Sequence, residues 1–251
     1  MYKSPPPTYH ASPLFTLSPT QQLAEKVVVV GMEAFFEGWL QRQEELLQEL
    51  LDARSRPEPD AHLRQLVNRA LDHYKSYYKE KARLADRDVL LVYSPAWLTL
   101  HERTFLWVAG FRPSLVFRLL GAVVAPEQGE AAIEELEAEA AVEERRVTGE
   151  MARLQEAMAM PQVLGLVRRS GAARNGENRA DEDPVVGPLL RSLRSLLQCA
   201  DKLRVGVVKR LAEILRPAQM VDFLVAASDL HFRIRAWGLR TQPPPPGPAA
   251  S

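Results

Sequence analysis

The residue types that most often carry chemistry are few and scattered in this sequence. The histidines are His10, His62, His73, His101 and His231. None of them stands in a metal-binding spacing such as His-Glu-x-x-His, because no second histidine follows His101-Glu102 one helical turn later. A lone histidine in an aromatic helix is more often a core or surface residue than a metal ligand. The spacing therefore predicts no metal site.

Carboxylates are concentrated in one stretch, where eight glutamates and no basic residue lie from Glu127 to Glu144. General acid–base catalysis needs two carboxylates held in different surroundings of one cleft. A run of glutamates along a helix is more typical of a wet surface. Cys199, the only cysteine, lies in an apolar-rich segment, which favours a buried and inert thiol. Since a glycine-rich phosphate loop is also missing, the sequence predicts a protein that is not an enzyme.

The overall composition is that of an ordinary globular protein. Hydrophobic residues make up 46% and charged residues 25%, and the formal net charge is +0. The net charge therefore does not point to nucleic acid or to an anionic membrane as the partner. The longest apolar runs are far shorter than a membrane span, and no secretory signal peptide is predicted. A single cysteine suits a reducing compartment inside the cell.

One basic stretch gives a weak indication of nucleic-acid binding. Its basic residues are Lys202, Arg204, Lys209, Arg210 and Arg216. These charges could equally form the solvent side of an amphipathic helix, or pair with the acidic 127–144 face within the molecule or across a dimer. Residues 1–31 contain only two basic residues, so no basic region of the bZIP type is predicted there. Direct nucleic-acid binding is therefore not favoured.

Apolar residues recur at three- and four-residue spacing along most of the chain, which is typical of amphipathic helices. Residues 89–93 could form a strand alone, but we interpret them as the buried end of the preceding helix. The sequence thus predicts an all-α fold, a single bundle of about six or seven helices over residues 21–239. Proline-rich residues 1–20 and 240–251 are predicted to be disordered, and residues 169–184 to form a flexible loop.

Aromatic residues are densest between Tyr74 and residue 124, where we expect the best-packed part of the core. Ser94 is a candidate N-cap, and Gly110 is a candidate C-terminal residue of the same helix. That helix would place Trp97 and Trp107 about three turns apart. An Arg-Pro-Ser corner then predicts the start of another helix.

Other boundaries follow from capping and helix-breaking residues. Asp60 is a candidate cap of the second helix, and the long acidic helix is expected to end near Pro161. The last helix is predicted to begin at Pro217, to bury Trp237 and to end before Gly238. The polar residues 41–45 are interpreted as a solvated helix face.

Several separated blocks of the sequence resemble the Delay of Germination domain of plants. They include YKSYYKEK at 74–81, SPAWLTLHER at 94–103, WVAGFRPS at 107–114 and ADKLR at 200–204. The similarity covers about residues 32–238. Seed-dormancy regulators contain this domain, and it also forms the C-terminal part of TGA-type bZIP transcription factors. The resemblance implies a plant protein with an all-helical regulatory and interaction domain.

The resemblance also implies how such a protein acts. Dormancy-type members lack a DNA-binding segment and act through protein partners, including type-2C protein phosphatases of abscisic acid signalling. TGA-type members dimerise and recruit transcriptional cofactors, so bZIP factors and a second copy of the chain are further expected partners. We expect a role in transcriptional or hormone signalling in seed dormancy and germination, in the nucleus, the cytoplasm or both.

Two alternatives stay open. The first is a ligand sensor: some dormancy-type members are associated with haem, for which His231 is the candidate ligand, and a hydrophobic pocket could bind another small molecule. The second is a DNA-associated transcriptional co-regulator. The residues assigned to a structural and interaction hub are Trp39, Tyr74, Tyr78, Trp97, Glu102, Trp107, Arg112, Pro113 and Trp237.

Overall fold

The computed structural model describes residues 19–124, 130–160 and 184–241. Within these ranges the chain is helical and contains no strand, which confirms the predicted all-α fold. Six helices have ten or more residues, and two others are short. The helices are α1 Pro19–Arg54, α2 Asp60–Arg87, α3 Val89–Tyr93, α4 Leu100–Arg103, α5 Ser114–Val123, α6 Glu130–Met158, α7 Val186–Ile214 and α8 Pro217–Thr241.

The long helices pack as a bundle in which α6 lies along α7 and α1 lies along α8. Helix α2 packs against α1, α7 and α8, and α8 packs in addition against α4 and α5. One core cluster surrounds Leu50, Leu66 and Leu211, and a second contains Trp39 and Trp97. Tyr74 packs against both clusters. The helices therefore share one continuous core, because this side chain joins its two main parts.

The segment between α2 and α5 differs from the prediction. The backbone of Asp88 is extended, with φ −151°, and its carboxylate accepts a hydrogen bond from the amide of Leu90. Residues 89–93 are therefore a separate short helix rather than the end of α2. Ser94 ends α3, because its amide donates to the carbonyl of Leu90. The predicted helix from Ser94 to Gly110 is wrong: only Leu100–Arg103 is helical there.

Three other predicted helix features need correction. Asp60 lies in the first turn of α2, whose N-cap position is occupied by Pro59. Helix α8 begins at Pro217 as predicted, but it continues through Gly238 to Thr241. Trp237 is 53% exposed rather than buried. Gly238 makes the closer approach to the start of α4, and Trp237 contacts α4 through the ring of His101.

Glutamates of the acidic helix α6 are mostly exposed, as predicted, with one clear exception. Glu144 is buried, and its carboxylate accepts a hydrogen bond from the amide of Ser114. It thereby satisfies one of the free amides at the start of α5 and places a negative charge at that positive helix end. Glu139 pairs with Arg210 of α7, so the acidic and basic helices do meet within the molecule at this pair.

The predicted loop at 169–184 lies outside the described residues except for Pro184. Most residues of the predicted disordered ends also lie outside them, whereas Pro19, Thr20, Arg240 and Thr241 are helical. In the part of the chain that the structure describes, no helix has the length and apolarity needed to cross a membrane.

Candidate interaction site

An aromatic cluster joins α1 to α2 in the middle of the bundle. Trp39 stacks on His73 with ring centroids 4.6 Å apart, and its indole nitrogen donates to the His73 carbonyl at 3.1 Å. Phe36 stacks on the other side of Trp39 at 5.8 Å, and Tyr77 lies within 6.0 Å of both rings. Burial, helped by the nearby charge of Arg42, lowers the pKa of His73 to about 4. His73 is therefore neutral at physiological pH.

A buried polar network lies beside this cluster. The amide nitrogen of Gln43 lies 2.8 Å from the hydroxyl of Tyr74 and 2.6 Å from that of Ser228. The network therefore ties together α1, α2 and α8. Gln43 is only 2% exposed, so the prediction that residues 41–45 form a solvated face is wrong at this position. A long polar side chain can be buried on an apolar face when it gains hydrogen bonds there. The amide nitrogen of Gln43 has two such partners, whereas its amide oxygen has none among the described residues.

The block at 107–111 forms a tight turn rather than a helix. The amide of Trp107 donates to the carbonyl of Gly110 at 2.7 Å, and the reverse bond is 3.2 Å. Val108 and Ala109 between them have φ values of 46° and 53°. Two residues in the left-handed region are unusual without glycine or asparagine, and a β-branched valine is especially disfavoured there. Other contacts must therefore stabilise this turn.

Two buried cations supply these contacts. The Lys81 ammonium donates to the carbonyl of Ala109 and to the carboxylate of Asp201, both at 2.8 Å. The Arg204 guanidinium donates to the carbonyls of Trp107, Val108 and Phe111, and it also pairs with Asp201. Four carbonyl oxygens of the turn are thus bound from α2 and α7. We call this group of Lys81, Asp201, Arg204 and residues 107–111 the turn clamp.

The turn clamp is tightly packed and electrostatically unbalanced. Lys81 and Arg204 are both fully buried, with only the carboxylate of Asp201 as an acidic partner within the clamp. Burial lowers the pKa of Lys81 to about 8, although Asp201 favours the charged form. A Cβ atom on Gly110 would lie 2.6 Å from the Arg204 guanidinium carbon. Glycine is therefore required at position 110 for the cation to approach the backbone.

A second polar joint connects α4 to α8. Thr99 and Glu102 form a capping box, in which each side chain accepts a hydrogen bond from the other residue's amide. The Glu102 carboxylate, 5% exposed, also lies 3.2 Å from the Arg235 guanidinium. A Cβ atom on Gly238 would lie 2.2 Å from the Thr99 hydroxyl. Helices α4 and α8 are thus held together by the Glu102–Arg235 ion pair and by the close contact between the backbone of Gly238 and the side chain of Thr99.

His231 lies next to this joint, and its surroundings do not fit an axial haem ligand. Its Nε2 atom is 3.9 Å from the Glu102 carboxylate, and its ring stacks on Phe232 at 5.8 Å and lies 5.8 Å from Trp39. Burial lowers the pKa of His231, although the Glu102 carboxylate favours the charged form, and the charge of Arg235 lowers it further. Iron coordination by His231 would require this packing to open. Haem binding through His231 stays an untested prediction. In the described residues, no three potential ligands cluster as a metal site requires.

The other predicted hub residues lie at the edge of the turn clamp. Tyr78 places its ring 5.4 Å from the Lys81 ammonium, and burial raises the pKa of the Tyr78 hydroxyl. The Arg112 guanidinium lies 5.9 Å from the Trp107 ring and 3.6 Å from the Glu144 carboxylate. Pro113 is buried at the N-cap position of α5. These contacts fix the entry of the chain into α5.

Trp237 lies in an exposed apolar surface that the α4–α8 joint holds in place. Its ring centroid is 4.2 Å from that of His101, which in turn is 5.2 Å from that of Phe105. Phe105 is 45% exposed, and Leu100, in the first turn of α4, is 59% exposed. We call Leu100, His101, Phe105 and Trp237 the Trp237 patch. Grouped large apolar side chains on a surface are typical of protein-binding sites.

The structure thus divides the predicted hub into three places. Trp39, Tyr74 and Trp97 belong to the core, Glu102 and Trp237 to the α4–α8 region, and the remaining four to the turn clamp and its edge. The sequence-based prediction missed Lys81, Asp201 and Arg204. A signal was present, because Lys81 and Arg204 fall on helical positions that otherwise carry apolar residues.

Comparisons with known proteins identify the family to which this chain is related. The family model for DOG1, described as seed dormancy control, matches residues 44–122. Protein DOG1-like 4 of Arabidopsis thaliana is 32% identical over 212 residues, which cover 82% of this chain and 91% of that protein. RESPONSE TO ABA AND SALT 1 of the same plant is 32% identical over 80% of this chain and 92% of its own.

Transcription factors are also among the relatives. Transcription factor TGA2.3 of Oryza sativa subsp. japonica is 32% identical over 200 residues, which cover 79% of this chain and 60% of that protein. The names of these relatives thus refer to regulation or to transcription rather than to an enzymatic activity. Because both the family model and near full-length relatives match, the chain belongs to the seed dormancy control (DOG1) family.

Proposed function

We propose that this chain is a non-enzymatic plant regulatory protein that acts by binding other proteins in seed dormancy and abscisic acid signalling or in transcription. We place it in the nucleus, the cytoplasm or both. The names of its relatives, which include an abscisic acid response protein and TGA factors, support this role. As partners we propose type-2C protein phosphatases and bZIP factors, with a second copy of the chain as a further candidate.

The observation that carries this proposal is the Trp237 patch. Three large apolar side chains are 45% to 59% exposed there, on α8, on α4 and in the turn after α4, and a buried ion pair and a capping box connect these elements. A preformed surface loses little conformational entropy on binding, so its apolar area contributes more fully to affinity. Tryptophan is also the residue type most often found at the centre of such interfaces.

A purification from germinating seeds tests this proposal. The tagged full-length chain, its Trp237→Ala variant and a Val142→Ala control are compared for quantitative recovery of type-2C phosphatases and bZIP factors. Truncating a central tryptophan costs about 2 kcal/mol or more of binding free energy, so we expect about thirtyfold weaker binding. Val142 is 55% exposed on α6, away from the patch, and its variant should bind like the parent protein.

Two results would contradict the proposal. One is the recovery of neither class of protein by the parent chain. The other is equal recovery by the parent and the Trp237→Ala variant, when circular dichroism shows both to be folded. Recovery of phosphatases without bZIP factors, or the reverse, identifies the true partner class.

Direct DNA binding is the weaker candidate. Arg204 belongs to the buried turn clamp, and Arg210 pairs with Glu139, so both of these basic residues of α7 are already engaged within the protein. A gel shift that disappears at moderate salt would indicate only electrostatic attraction.

A further inference from the structure

A cleft of about 450 Å³ lies between the turn clamp and α6, on a face that the Trp237 patch does not include. One wall is formed by Tyr93, Pro95 and the turn residues from Leu106 to Ala109. The other wall is formed by α6, where Met151 and Ala152 are central. This volume falls within the range of small-molecule sites in proteins.

The turn clamp determines the chemistry of this cleft. The carbonyl oxygens of Trp107, Val108 and Ala109 accept hydrogen bonds from the buried cations Lys81 and Arg204. The turn therefore presents mainly side chains, rather than backbone oxygens, to the cleft. Its lining is apolar over most of its area and contains few groups that would repel an anion.

Among the described residues that line the cleft, Arg103 is the one that carries a charge. Its Nε atom donates to the Leu98 carbonyl at 3.1 Å, which fixes the half-buried side chain. Among the described residues no carboxylate lies within ion-pair distance of Arg103. The hydroxyl of Ser94 and the amide of Gln155 add uncharged hydrogen-bonding groups. A fixed guanidinium beside an apolar cleft is complementary to a carboxylate attached to an apolar body.

We propose that this cleft binds a small carboxylic acid with an apolar body. The carboxylate pairs with the Arg103 guanidinium, and the apolar body lies between Met151 of α6 and the residues of the 107–109 turn. The proposal goes beyond the proposed function, because it concerns a site outside the Trp237 patch and a ligand of a different class.

Binding of 2-naphthoate to the full-length chain tests the proposal, with neutral 2-naphthamide as the matched compound. Isothermal titration calorimetry should give at least tenfold tighter binding for the acid than for the amide, because only the acid pairs with Arg103. The Arg103→Gln variant should reduce the affinity for the acid to that for the amide. The Ala152→Trp variant should abolish binding of both compounds, because it fills an exposed part of the cleft wall.

The control variant is Arg153→Gln, which removes an exposed positive charge next to the cleft wall without altering the lining. It should bind the acid as the parent protein does. Thermal unfolding followed by circular dichroism shows whether each variant is folded, and a bound acid should raise the midpoint of the parent protein.

Equal affinities for acid and amide would overturn the proposal, as would unchanged binding by folded Arg103→Gln. Absence of heat and of any midpoint shift with about 1 mM naphthoate would overturn it as well, because the dissociation constant would then exceed about 1 mM. Failure of the Trp237→Ala experiment has no bearing on these outcomes, so the two proposals can fail separately.

Discussion

At the scale of single residues, Gly110 has the least room for change. A methyl group there would lie 2.6 Å from the guanidinium carbon of Arg204, which cannot withdraw without losing its carbonyl partners. We therefore expect Gly110→Ala to lower the free energy of unfolding by about 2–3 kcal/mol. Urea denaturation followed by circular dichroism measures this change.

The matched control is Gly149→Ala on α6. Nothing lies within 4 Å of a Cβ atom built at Gly149, and alanine favours a helix interior over glycine by about 1 kcal/mol. We expect this variant to be slightly stabilised. If both variants lost the same stability, the loss at position 110 could not be attributed to the close approach of Arg204, and the prediction would be contradicted.

The buried side chain of His73 should make the free energy of unfolding depend on pH. Its pKa is lowered to about 4 by burial, whereas an unfolded histidine binds a proton below about pH 6.5. Between these values the unfolded chain therefore binds more protons, and the free energy of unfolding should fall as the pH is lowered from about 6.5. Urea denaturation at several pH values measures this slope.

The variant His73→Gln should flatten this slope between about pH 6.5 and 5, where most carboxylates are still ionised. The control His62→Gln changes a histidine at the exposed start of α2 and should leave the slope as it is. His231 has a lowered pKa too, so part of the slope should remain in His73→Gln. A slope that is identical in all three proteins would contradict the prediction.

At the scale of elements, the joint between α4 and α8 depends on the charge of Glu102. The Glu102→Gln variant can still accept the Thr99 amide hydrogen bond, but it leaves the mostly buried Arg235 without a carboxylate. Breaking a buried ion pair by removing one partner is costly, so we expect a loss of about 3 kcal/mol of unfolding free energy. Urea denaturation provides the measurement.

Glu139→Gln is the comparison for this variant, because the Glu139–Arg210 pair joins two elements as well but is about half exposed. Exposed pairs contribute about 0–1 kcal/mol, so its effect should be small. If both variants lose the same stability, burial of the ion pair does not explain the strength of the joint.

Helices with regular periodicity could be predicted from the sequence, and the segment from Ser94 to Gly110 could not. Local signals there favoured one helix, since serine, proline and glycine stood at suitable positions. The observed turn depends instead on Lys81 and Arg204, whose hydrogen bonds cross 28 and 93 residues of sequence. Both side chains are polar, and periodicity reasoning assigns polar residues to the solvent. Contacts of this range leave no local pattern.

At the scale of the whole molecule, the core clusters share side chains. Tyr74 packs against the first two clusters, and Tyr93, Met151 and Leu154 pack against the second and the third. We therefore expect one cooperative unfolding transition rather than separate transitions for the two ends of the bundle. Tryptophan fluorescence, to which Trp39 and Trp97 of the second cluster contribute, and far-ultraviolet circular dichroism should give the same urea midpoint. Two midpoints would contradict a shared core.

The overall architecture was predictable because apolar spacing and family resemblance agree along most of the chain. The candidate site was predictable only in part. Aromatic richness identified Trp39, Trp97 and Trp107, but it did not distinguish core from surface, so the exposure of Trp237 was missed. Exposure depends on how closely each residue of α8 approaches α4, and Gly238, which lies directly against the Thr99 side chain, approaches more closely than Trp237 does.

The turn clamp also has a consequence for biosynthesis. Arg204 follows Phe111 by 93 residues, so the ribosome exposes the turn well before its main partner is made. At about 5–20 residues per second this interval lasts roughly 5–20 s. During that time the chain lacks the guanidinium that stabilises the left-handed backbone of Val108 and Ala109, so the turn is not held in its final conformation. Nascent chains halted before α7 should therefore be more sensitive to proteases, and more dependent on chaperones, than chains released complete.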